Sequence, residues 1–278
     1  LIKMEFLLAA FAKKVEKCGD ACIPLLFIEE PESHMHPQMQ HAFAEYLEAF
    51  LAKITSVGIQ TFLTSHSAHI ANTMVFSKIR YAQKTKAGVI YKNLNAFAQE
   101  NPSNTDFIRK YLTLTKCDLF FADAVILVEG AAENMLLPHF IRNKYPKLYQ
   151  RYISILSING RHSHRLNPLI EKLCIPTLVI ADIDSAEATG HHKAICPERG
   201  KGFISSNYTI TKWLIKEKDL DKLLSLPFEK KEIFKETPYK YSVRVAYQTP
   251  VSIAYEGNDE EARLKIVWFI QIINSLKR

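Results

Sequence analysis

Two apolar runs that each end in acidic side chains constrain the fold of this chain most strongly. AVILVEGAAE ends its run at Glu129 and places Glu133 beyond it, while TLVIADID ends in Asp182 and Asp184. Continuous runs of Val, Ile and Leu are typical of strands in a parallel sheet that is covered on both faces. Ligands of such sheets bind beyond the carboxyl ends of the strands. If the two strands are neighbours, these carboxylates therefore converge on one site for a hard divalent cation.

The residues around the two runs alternate between strand and helix patterns. After the first run we predict a helix at AAENMLLPHFIRNKY, a strand at YISILSING and a helix near Leu166–Leu173, before the second run. This β-α-β-α-β order predicts an α/β fold with a small, mainly parallel, doubly wound sheet. Beyond it, SNYTITKWLIKE is predicted to form a helix that Ser206 or Asn207 caps.

The first part of the chain predicts a strand-helix-strand unit of its own. LIKMEFLLAAFAKKVEK has the apolar spacing of an amphipathic helix, and IPLLFIEEPE is predicted as a buried strand that ends in acids. A helix with Pro37 in its first turn follows, then a strand at GIQTFLTSHS and a hairpin over KIRYAQKTKAGVIYKNL. We place a domain boundary near Cys117, which gives domains at 1–117 and 118–278.

The acids of EEPE and the histidine of TSHS predict part of a nucleotide-hydrolysis site. One carboxylate at a strand end can hold Mg²⁺ and the next can polarise the attacking water, roles that suit Glu29 and Glu30. His66 can donate a hydrogen bond to a terminal phosphoryl oxygen. The alternative is an exposed acidic turn made of these glutamates and Glu32. The occurrence of both motifs at strand-helix-strand spacing favours the hydrolysis site.

The charge balance indicates which partners suit this chain, and the cysteines indicate its cellular compartment. Lys and Arg outnumber Asp and Glu by 36 to 29, and the sequence pI is about 9.0. A basic protein suits a polyanionic partner such as nucleic acid. The 5 cysteines are scattered, which favours a reduced cytoplasmic protein over a disulfide framework. No apolar run approaches the roughly 18–20 residues that cross a bilayer, so no membrane partner is predicted.

EEPESHMHPQ followed by TSHS resembles the second half of an ABC/AAA-type ATPase head, as in the SMC/Rad50 and OLD groups. The resemblance implies that EEPE is the Walker B motif, that His66 is the switch histidine and that ATP binds through the complete ATPase domain. His34 and His36 match a histidine pair of that pattern and are interpreted as turn and helix-start residues. These residues lack a G-x-x-x-x-G-K-[ST] phosphate loop, so we expect the carboxy-terminal part of a longer ATPase-nuclease.

VEGAAE followed by DID resembles the Toprim domain of topoisomerases, primases and OLD nucleases. Combined with EEPE and TSHS, the motifs resemble the OLD (overcoming lysogenization defect) nucleases in particular, over nearly the whole chain. The resemblance implies that Glu129, Asp182 and Asp184 ligate divalent metal, with Glu133 next. Mg²⁺ or Mn²⁺ is expected, as two ions that flank the phosphodiester to be hydrolysed.

The carboxy-terminal residues depart from the family pattern. VAYQTPVSIAYEGNDEEA corresponds to a family segment with Gly-Arg-Ser-Phe-Glu, which implies that Glu261 is a metal ligand and that Asp259 replaces a serine. The family also uses a lysine farther along to stabilise charge at the scissile phosphate. This chain ends at Arg278, before that position, so we expect a carboxy-terminally incomplete Toprim domain.

Four histidines in two loops invite a catalytic interpretation, but surface positions are favoured. They are His162, His164, His191 and His192. Two arginines beside the first pair, Arg161 and Arg165, are able to contact phosphates.

Two functional hypotheses follow from these motifs. The first is a metal-dependent DNA endonuclease coupled to an ABC-type ATPase, acting in defence against phage or foreign DNA. The alternative is an ATP-gated DNA-binding or structural protein whose Toprim domain is degenerate and inactive. DNA is the expected partner under both hypotheses. The ATPase family implies a homodimer or a higher homo-oligomer, and a helicase-like partner is left open.

Overall fold

A computed structural model describes most of the chain and divides it into two compact units. The described residues are 2–18, 23–53, 59–85, 88–112, 114–158, 162–189, 194–236 and 240–247. The first unit comprises residues 1–121 and the second residues 122–278, so the division falls just beyond Cys117. None of the helices in the described ranges is long and apolar enough to cross a membrane.

The first unit follows the predicted order of helices and strands. Its helices are α1 (Ile2–Cys18), α2 (Pro37–Lys53), α3 (Ala68–Thr73), α4 (Leu94–Glu100) and α5 (Pro102–Tyr111). Its strands are β1 (Leu25–Glu29), β2 (Gln60–Thr64), β3 (Arg80–Thr85) and β4 (Gly88–Asn93). Pro37 opens α2 as predicted, and β3 pairs antiparallel with β4 to form the predicted hairpin.

The first unit contains a parallel pair of strands, β1 and β2. β1 and β2 pair in parallel and are joined through α2, as a strand-helix-strand crossover requires. One strand and three helices contribute the buried side chains of its core, which are Leu8, Ile28, Phe43, Leu47 and Ile70. This core places the carboxyl ends of β1 and β2, with their EEPE and TSHS motifs, side by side.

The prediction that IPLLFIEEPE is a buried strand was wrong for one of its two faces. Alternate side chains of a strand point to opposite faces. Ile28 is buried, whereas Leu25 is 48% and Phe27 64% exposed. The Phe27 ring stacks on that of Phe62 in β2 at a centroid distance of 4.9 Å. Within the described ranges, helices cover only the Ile28 face of the strand. The apolar run therefore predicted more burial than the side chains of β1 have.

The second unit contains the two strands that end in acids. Its helices are α6 (Ala131–Lys144), α7 (Pro146–Tyr149), α8 (Asn167–Leu173) and α9 (Leu220–Ser225). Its strands are β5 (Ala124–Val128), β6 (Ile153–Ser157), β7 (Thr177–Ala181), β8 (Ser185–Ala186), β9 (Ile204–Ser205), β10 (Glu232–Lys235) and β11 (Tyr241–Tyr247). The predicted β-α-β-α-β order from β5 to β7 is confirmed.

The second unit is organised around a 5-stranded sheet with strand order β10-β11-β7-β5-β6. β11, β7, β5 and β6 run parallel to one another, and β10 is an antiparallel edge strand. β5 and β7 are direct neighbours, with Val128 opposite Ile180 in register. The predicted α/β fold with a mainly parallel sheet is therefore confirmed, and the two acidic strand ends meet at one edge.

Both faces of this sheet are covered, as the continuous apolar runs predict. Side chains from β5, β7 and α6 pack together on one face, namely Ile126, Val128, Leu137, Ile141 and Ile180. The intervening residues Val125 and Leu127 point to the opposite face and are buried as well. Every side chain of β7 is buried. The sheet therefore holds the ends of β5 and β7 in a fixed relation.

The segment after the DID motif differs from the predicted α-helix. Thr209–Leu214 forms a π-helix, in which the Ile215 and Lys216 N–H groups both donate to the Ile210 carbonyl oxygen at 3.0 Å. Isolated π-helical turns are rare, and those that do occur are often found at functional sites. Asn207 lies just ahead of this helix, and its side-chain Oδ1 accepts the Thr209 N–H at 2.9 Å.

The strands β10 and β11 have no counterpart in the prediction. YSVRVAY alternates in burial at its start, with Tyr241, Val243 and Val245 buried, and this alternation was a usable strand signal. β11 joins the sheet beside β7, with Tyr247 opposite Ala181. The carboxyl end of β11 therefore lies at the same edge of the sheet as Asp182.

Candidate functional site

Glu129 and Asp182 lie at the carboxyl ends of adjacent parallel strands. Glu129 directly follows β5 and Asp182 directly follows β7. The backbone N–H of Asp182 donates a hydrogen bond to the Glu129 carboxylate. The prediction that these two acidic strand ends meet is confirmed by the strand order, because β5 and β7 pair directly.

The Asn207 side chain connects three parts of this acidic edge. Its Nδ2 donates to Glu129 Oε1 at 2.8 Å, to the Asp182 carbonyl oxygen at 2.8 Å and to Asp184 Oδ2 at 3.2 Å. Its Oδ1 accepts the Thr209 N–H at 2.9 Å, and the residue is 0% exposed. We call Glu129, Asp182, Asp184 and Asn207 the acidic cluster. Asn207 therefore holds two carboxylates close together that otherwise repel each other.

The sequence prediction considered Asn207 only as a helix cap. Asn207 does cap the start of the π-helix, because its Oδ1 accepts the Thr209 N–H and its carbonyl oxygen accepts the Thr211 N–H, both at 2.9 Å. Ser206 bonds instead to the Asp184 carbonyl oxygen. The signal that pointed to a larger role was the location of SNYTITKWL after DID, as in the OLD pattern. Hydrogen bonds to residues as far as 78 positions away in the chain are not readable from such a local pattern.

The backbone of the DID motif is held in an uncommon conformation. Asp184 has φ +46°, in the left-handed region that aspartate adopts more readily than most residues. The Ser206 N–H and Oγ both donate to the Asp184 carbonyl oxygen at 2.9 Å. Ser205 Oγ donates to the Ile183 carbonyl oxygen at 2.5 Å. These bonds from the β9 segment fix the direction of the Asp184 side chain toward the acidic cluster.

Glu133, in the first turn of α6, folds back over Gly130. A Cβ atom at position 130 would lie 2.4 Å from Glu133 Oε2, so a larger residue there would displace the Glu133 carboxylate from this position. Glu133 Oε2 is buried and has no hydrogen-bond partner among the described residues. A buried carboxylate oxygen without a partner is uncommon and suits a cation ligand. The donor set of the edge thus fits a hard divalent cation.

The carboxylates do not yet surround one cation position. In the described part of the chain, no group of three or more His, Cys, Asp or Glu side chains is arranged to hold a metal ion. Asn207 Nδ2 instead occupies the space between Glu129 and Asp184. Glu261 and Asp259 lie outside the described residues, as do Arg161, His191 and His192. The predicted ligands therefore remain predictions.

Burial raises the pKa of the Glu129 carboxyl from 4.5 to about 7. The hydrogen bonds from Asn207 and from the Asp182 N–H lower this pKa, while the charges of Asp182 and Asp184 raise it further. Burial outweighs the hydrogen bonds, so the carboxyl is near half protonation at neutral pH. A cation at this edge would compete with that proton.

We expect the metal-free second unit to lose stability as the pH rises from about 5 to about 8. A raised folded-state pKa stabilises the fold below the unfolded value of Glu129, and this contribution is lost as the pH passes the folded value near 7. The expected decrease in the free energy of unfolding is roughly 2 kcal/mol, after allowance for partial exposure. Urea unfolding followed by tryptophan fluorescence measures it, because Trp213 lies in the second unit and residues 1–121 contain no tryptophan.

Glu129→Gln should remove most of this pH dependence, since glutamine does not titrate. The matched control is Glu198→Gln, at an exposed position of the same unit. A pH profile that is equally steep in wild type and Glu129→Gln would contradict the assignment.

In the first unit, His66 contacts two of the three acids of the EEPE motif, Glu30 and Glu32. His66 Nε2 lies 3.2 Å from Glu30 Oε1, and the His66 N–H donates to Glu32 Oε1 at 2.5 Å. Ser65 Oγ donates to the same Glu32 oxygen at 3.0 Å. Glu29 is exposed and stands opposite Thr64 in the strand register. The structure therefore joins the EEPE and TSHS motifs, with Glu32 as a connecting residue that the prediction had placed in the alternative acidic turn.

The turn after β1 is also fixed by the backbone. Glu30 has φ +39°, and its N–H donates to the Thr64 carbonyl oxygen at 3.0 Å. Its own carbonyl oxygen accepts from the Ser33 N–H at 3.1 Å and from Ser33 Oγ at 2.9 Å. His34 ends the 3-10 helix Pro31–His34, and His36 directly precedes α2, as the interpretation of these two histidines as turn residues predicts.

Glu32→Ala is expected to loosen the TSHS turn locally. The substitution removes two hydrogen bonds to a carboxylate, from Ser65 Oγ and from the His66 N–H. A loss of about 2 kcal/mol corresponds to roughly thirtyfold faster exchange of the His66 amide hydrogen. Glu45→Ala, whose carboxylate makes only an exposed pair with His41 at 3.6 Å, serves as the control. Unchanged His66 exchange in Glu32→Ala would show that this connection does not stabilise the turn.

The described geometry defines a class of protein: a Toprim-type domain preceded by a strand-helix-strand portion of an ATPase domain. Residues 120–184 match the family described as the overcoming lysogenization defect protein-like TOPRIM domain, and residues 1–71 match the AAA ATPase domain family. These matches contain Glu129, Asp182 and Asp184 in one case and EEPE and TSHS in the other.

Two nucleases are similar to this chain along much of its length. Endonuclease GajA of Bacillus cereus (strain HuB5-5) is 29% identical over 286 residues, covering 95% of this chain and 40% of that protein. Old nuclease of Escherichia phage P2 is 26% identical over 165 residues, covering 58% of this chain and 28% of that protein. The chain is thus homologous to these two nucleases, as its motifs predict, and it spans less than half the length of either relative.

Proposed function

We propose that this chain is part of a metal-dependent DNA endonuclease coupled to an ABC-type ATPase. The observation that carries the proposal is the acidic cluster, in which Asn207 draws Glu129 and Asp184 together at the carboxyl edge of the sheet. Holding like charges together costs folding free energy. Arrangements of this kind are typical of sites that bind a ligand or carry out catalysis. GajA is named an endonuclease and the phage P2 relative a nuclease, which supports phosphodiester hydrolysis as the reaction.

The residues that would hold Mg²⁺ or Mn²⁺ are Glu129, Asp182 and Asp184, with Glu133 as a further ligand. A divalent cation bound there supplies activation of water and neutralisation of phosphate charge. Asn207 fixes the Glu129 and Asp184 carboxylates, and Ser206 fixes the Asp184 backbone, so the ligands are oriented before DNA arrives. Glu261, assigned by resemblance, would be a fifth ligand from the carboxy-terminal residues.

In the ATPase portion, we assign Glu29 and Glu30 to Mg²⁺-nucleotide binding and water polarisation. His66, 3.2 Å from Glu30, is placed to respond to the terminal phosphate. Glu32 anchors the His66 backbone, which couples the two motifs. ATP binding itself is assigned to a complete ATPase domain.

The proposed partners follow from the same chemistry. DNA is the substrate, which suits the formal net charge of +7. We further propose a homodimer or higher homo-oligomer, a cytoplasmic location and a role in defence against phage or foreign DNA. A helicase-like partner is compatible with this role.

One observation favours the alternative of an ATP-gated DNA-binding protein with an inactive Toprim domain. Asn207 Nδ2 lies where a cation between Glu129 and Asp184 would be attracted, and the carboxylates of the described ranges do not surround a single position. In that case the hydrogen bonds of Asn207 are the final arrangement of the cluster, and no metal is needed.

A plasmid-nicking assay distinguishes the two functions. The purified chain is incubated with supercoiled plasmid in Mg²⁺, in Mn²⁺ or in EDTA, with and without ATP. The nuclease proposal expects open-circular product with at least one of the metals and none in EDTA. DNA binding that persists while no metal supports nicking would favour the alternative.

A further inference from the structure

Tyr208 is an exposed aromatic residue, and the residues directly before and after it in the chain are buried. Tyr208 is 48% exposed, whereas Asn207 before it and Thr209 after it are each 0% exposed. Asn207 is fixed by its hydrogen bonds to the acidic cluster, and Thr209 begins the π-helix. The backbone that carries the Tyr208 ring is therefore held on both sides, and the ring projects to solvent from a rigid support.

Two further side chains pack against this ring. The His164 ring lies at a centroid distance of 5.8 Å from the Tyr208 ring, with an interplanar angle of 87°. Lys212 Nζ lies 3.9 Å from the centre of the Tyr208 ring. His164 comes from the 3-10 helix Ser163–Leu166, and Lys212 from the π-helix. We call Tyr208, His164 and Lys212 the aromatic platform.

The platform is next to the acidic cluster along the chain. Tyr208 directly follows Asn207, and consecutive Cα atoms are about 3.8 Å apart. A phosphodiester held at Glu129 and Asp184 would therefore lie close to the backbone segment that carries the Tyr208 ring. A rigid aromatic ring can stack on a base, and a lysine ammonium beside it can contact the adjoining phosphate.

We propose that the aromatic platform stacks an unpaired base of the DNA beside the phosphate that is cleaved. This inference rests on the proposed nuclease function and specifies its substrate. A base inside an intact duplex already has neighbours on both faces, so an aromatic side chain gains a stacking partner only from an unpaired or displaced base. The substrate class is therefore single-stranded DNA or duplex DNA that is locally opened at the cleavage site.

Three variants test the platform by distinguishing the contribution of the aromatic ring from those of the Tyr208 hydroxyl and the Lys212 ammonium. Tyr208→Phe keeps the ring and its contact with Lys212, so binding should stay within about twofold of wild type. Tyr208→Leu keeps apolar bulk but removes the stacking face, and should weaken binding of unpaired DNA by roughly tenfold. Lys212→Gln should weaken binding to every DNA alike and lower the salt dependence by about one phosphate contact.

Binding is measured by fluorescence anisotropy in Ca²⁺ with one sequence in three forms. These are a single strand, a duplex with a central unpaired stretch and a fully paired duplex. The proposal expects the Tyr208→Leu loss on the first two forms, with less than about twofold change on the paired duplex. An equal loss on all three forms, no loss on any, or no DNA binding by the wild-type chain would overturn it.

Nicking assays in Mg²⁺ and Mn²⁺ on the same proteins separate this inference from the proposed function. Metal-dependent nicking by wild type with unaltered binding by Tyr208→Leu would retain the nuclease and reject the platform. Selective loss of binding to unpaired DNA in a chain that nicks nothing would retain the platform and reject the nuclease.

Discussion

Asp182→Asn is expected to lower metal-dependent nicking by at least about a hundredfold, because under the proposed function it removes a charged ligand of the divalent cation. Asp182 follows β7 directly and is positioned by the pairing of β7 with β5. The substitution keeps the size of the side chain and leaves its backbone unchanged. The Asp182 N–H and carbonyl oxygen, which bond to Glu129 and Asn207, are therefore retained. The loss should thus arise from metal binding rather than from unfolding.

Asp123→Asn is the matched control for this result. Asp123 immediately precedes β5, at the opposite end of the sheet, and is exposed. Its Oδ2 accepts the Tyr152 N–H at 3.1 Å, a bond that the asparagine oxygen can keep. Nicking by Asp123→Asn should equal that of wild type. Titration of Mn²⁺ by calorimetry should show weaker binding only in Asp182→Asn. Full nicking by Asp182→Asn would remove this residue from the metal site.

Asn207→Leu is expected to destabilise the metal-free second unit by roughly 2–4 kcal/mol at about pH 8.5, where Glu129 is ionised. Leucine has a similar size but cannot donate to Glu129 Oε1 or Asp184 Oδ2. The two carboxylates would then repel each other without a shared donor. The effect should shrink when Mg²⁺ is added, because a cation between the two carboxylates would relieve the repulsion that the Asn207 amide relieves in wild type. Urea unfolding followed by tryptophan fluorescence, in EDTA and in Mg²⁺, measures both effects.

The control for Asn207→Leu is Asn143→Leu, an exposed position in α6 whose Nδ2 lies 3.0 Å from His139 Nε2. A surface change of this kind should alter stability by no more than about 0.5 kcal/mol. If Asn207→Leu were as stable as wild type in EDTA, the acidic cluster would not depend on Asn207. If it were destabilised equally with and without Mg²⁺, the ion would not compensate for the loss of the Asn207 amide.

Local patterns were sufficient to predict most of the helices and strands. The β5 and β7 runs, the crossover through α2 and the hairpin of β3 with β4 all follow from hydrophobic period, turn residues and proline placement. The adjacency of β5 and β7 is a condition that the sequence does not itself predict, and the pairing of the two strands meets this condition. These features depend on residues close in sequence or on general rules for parallel strands, so the chain order carries them.

Burial and irregular backbone were harder to predict. The apolar run of β1 was interpreted as buried, but Phe27 is 64% exposed because helices cover only one face of the β1–β2 pair in the described ranges. The π-helix at Thr209–Leu214 was predicted as an ordinary helix, since the two share similar residue preferences over so short a segment. Hydrophobicity reports what a side chain can bury, not what is present to cover it.

The sequence by itself determined that acids end two buried strands, and therefore that Glu129 and Asp182 share one edge of a parallel sheet. Only the tertiary structure decided how they are held there. Asn207 reaches Glu129 from 78 residues away and Asp184 from 23 residues away. Hydrogen bonds of this kind depend on the path of the chain through β8, β9 and the π-helix. No local period encodes that path, because it is set by the packing of the whole unit.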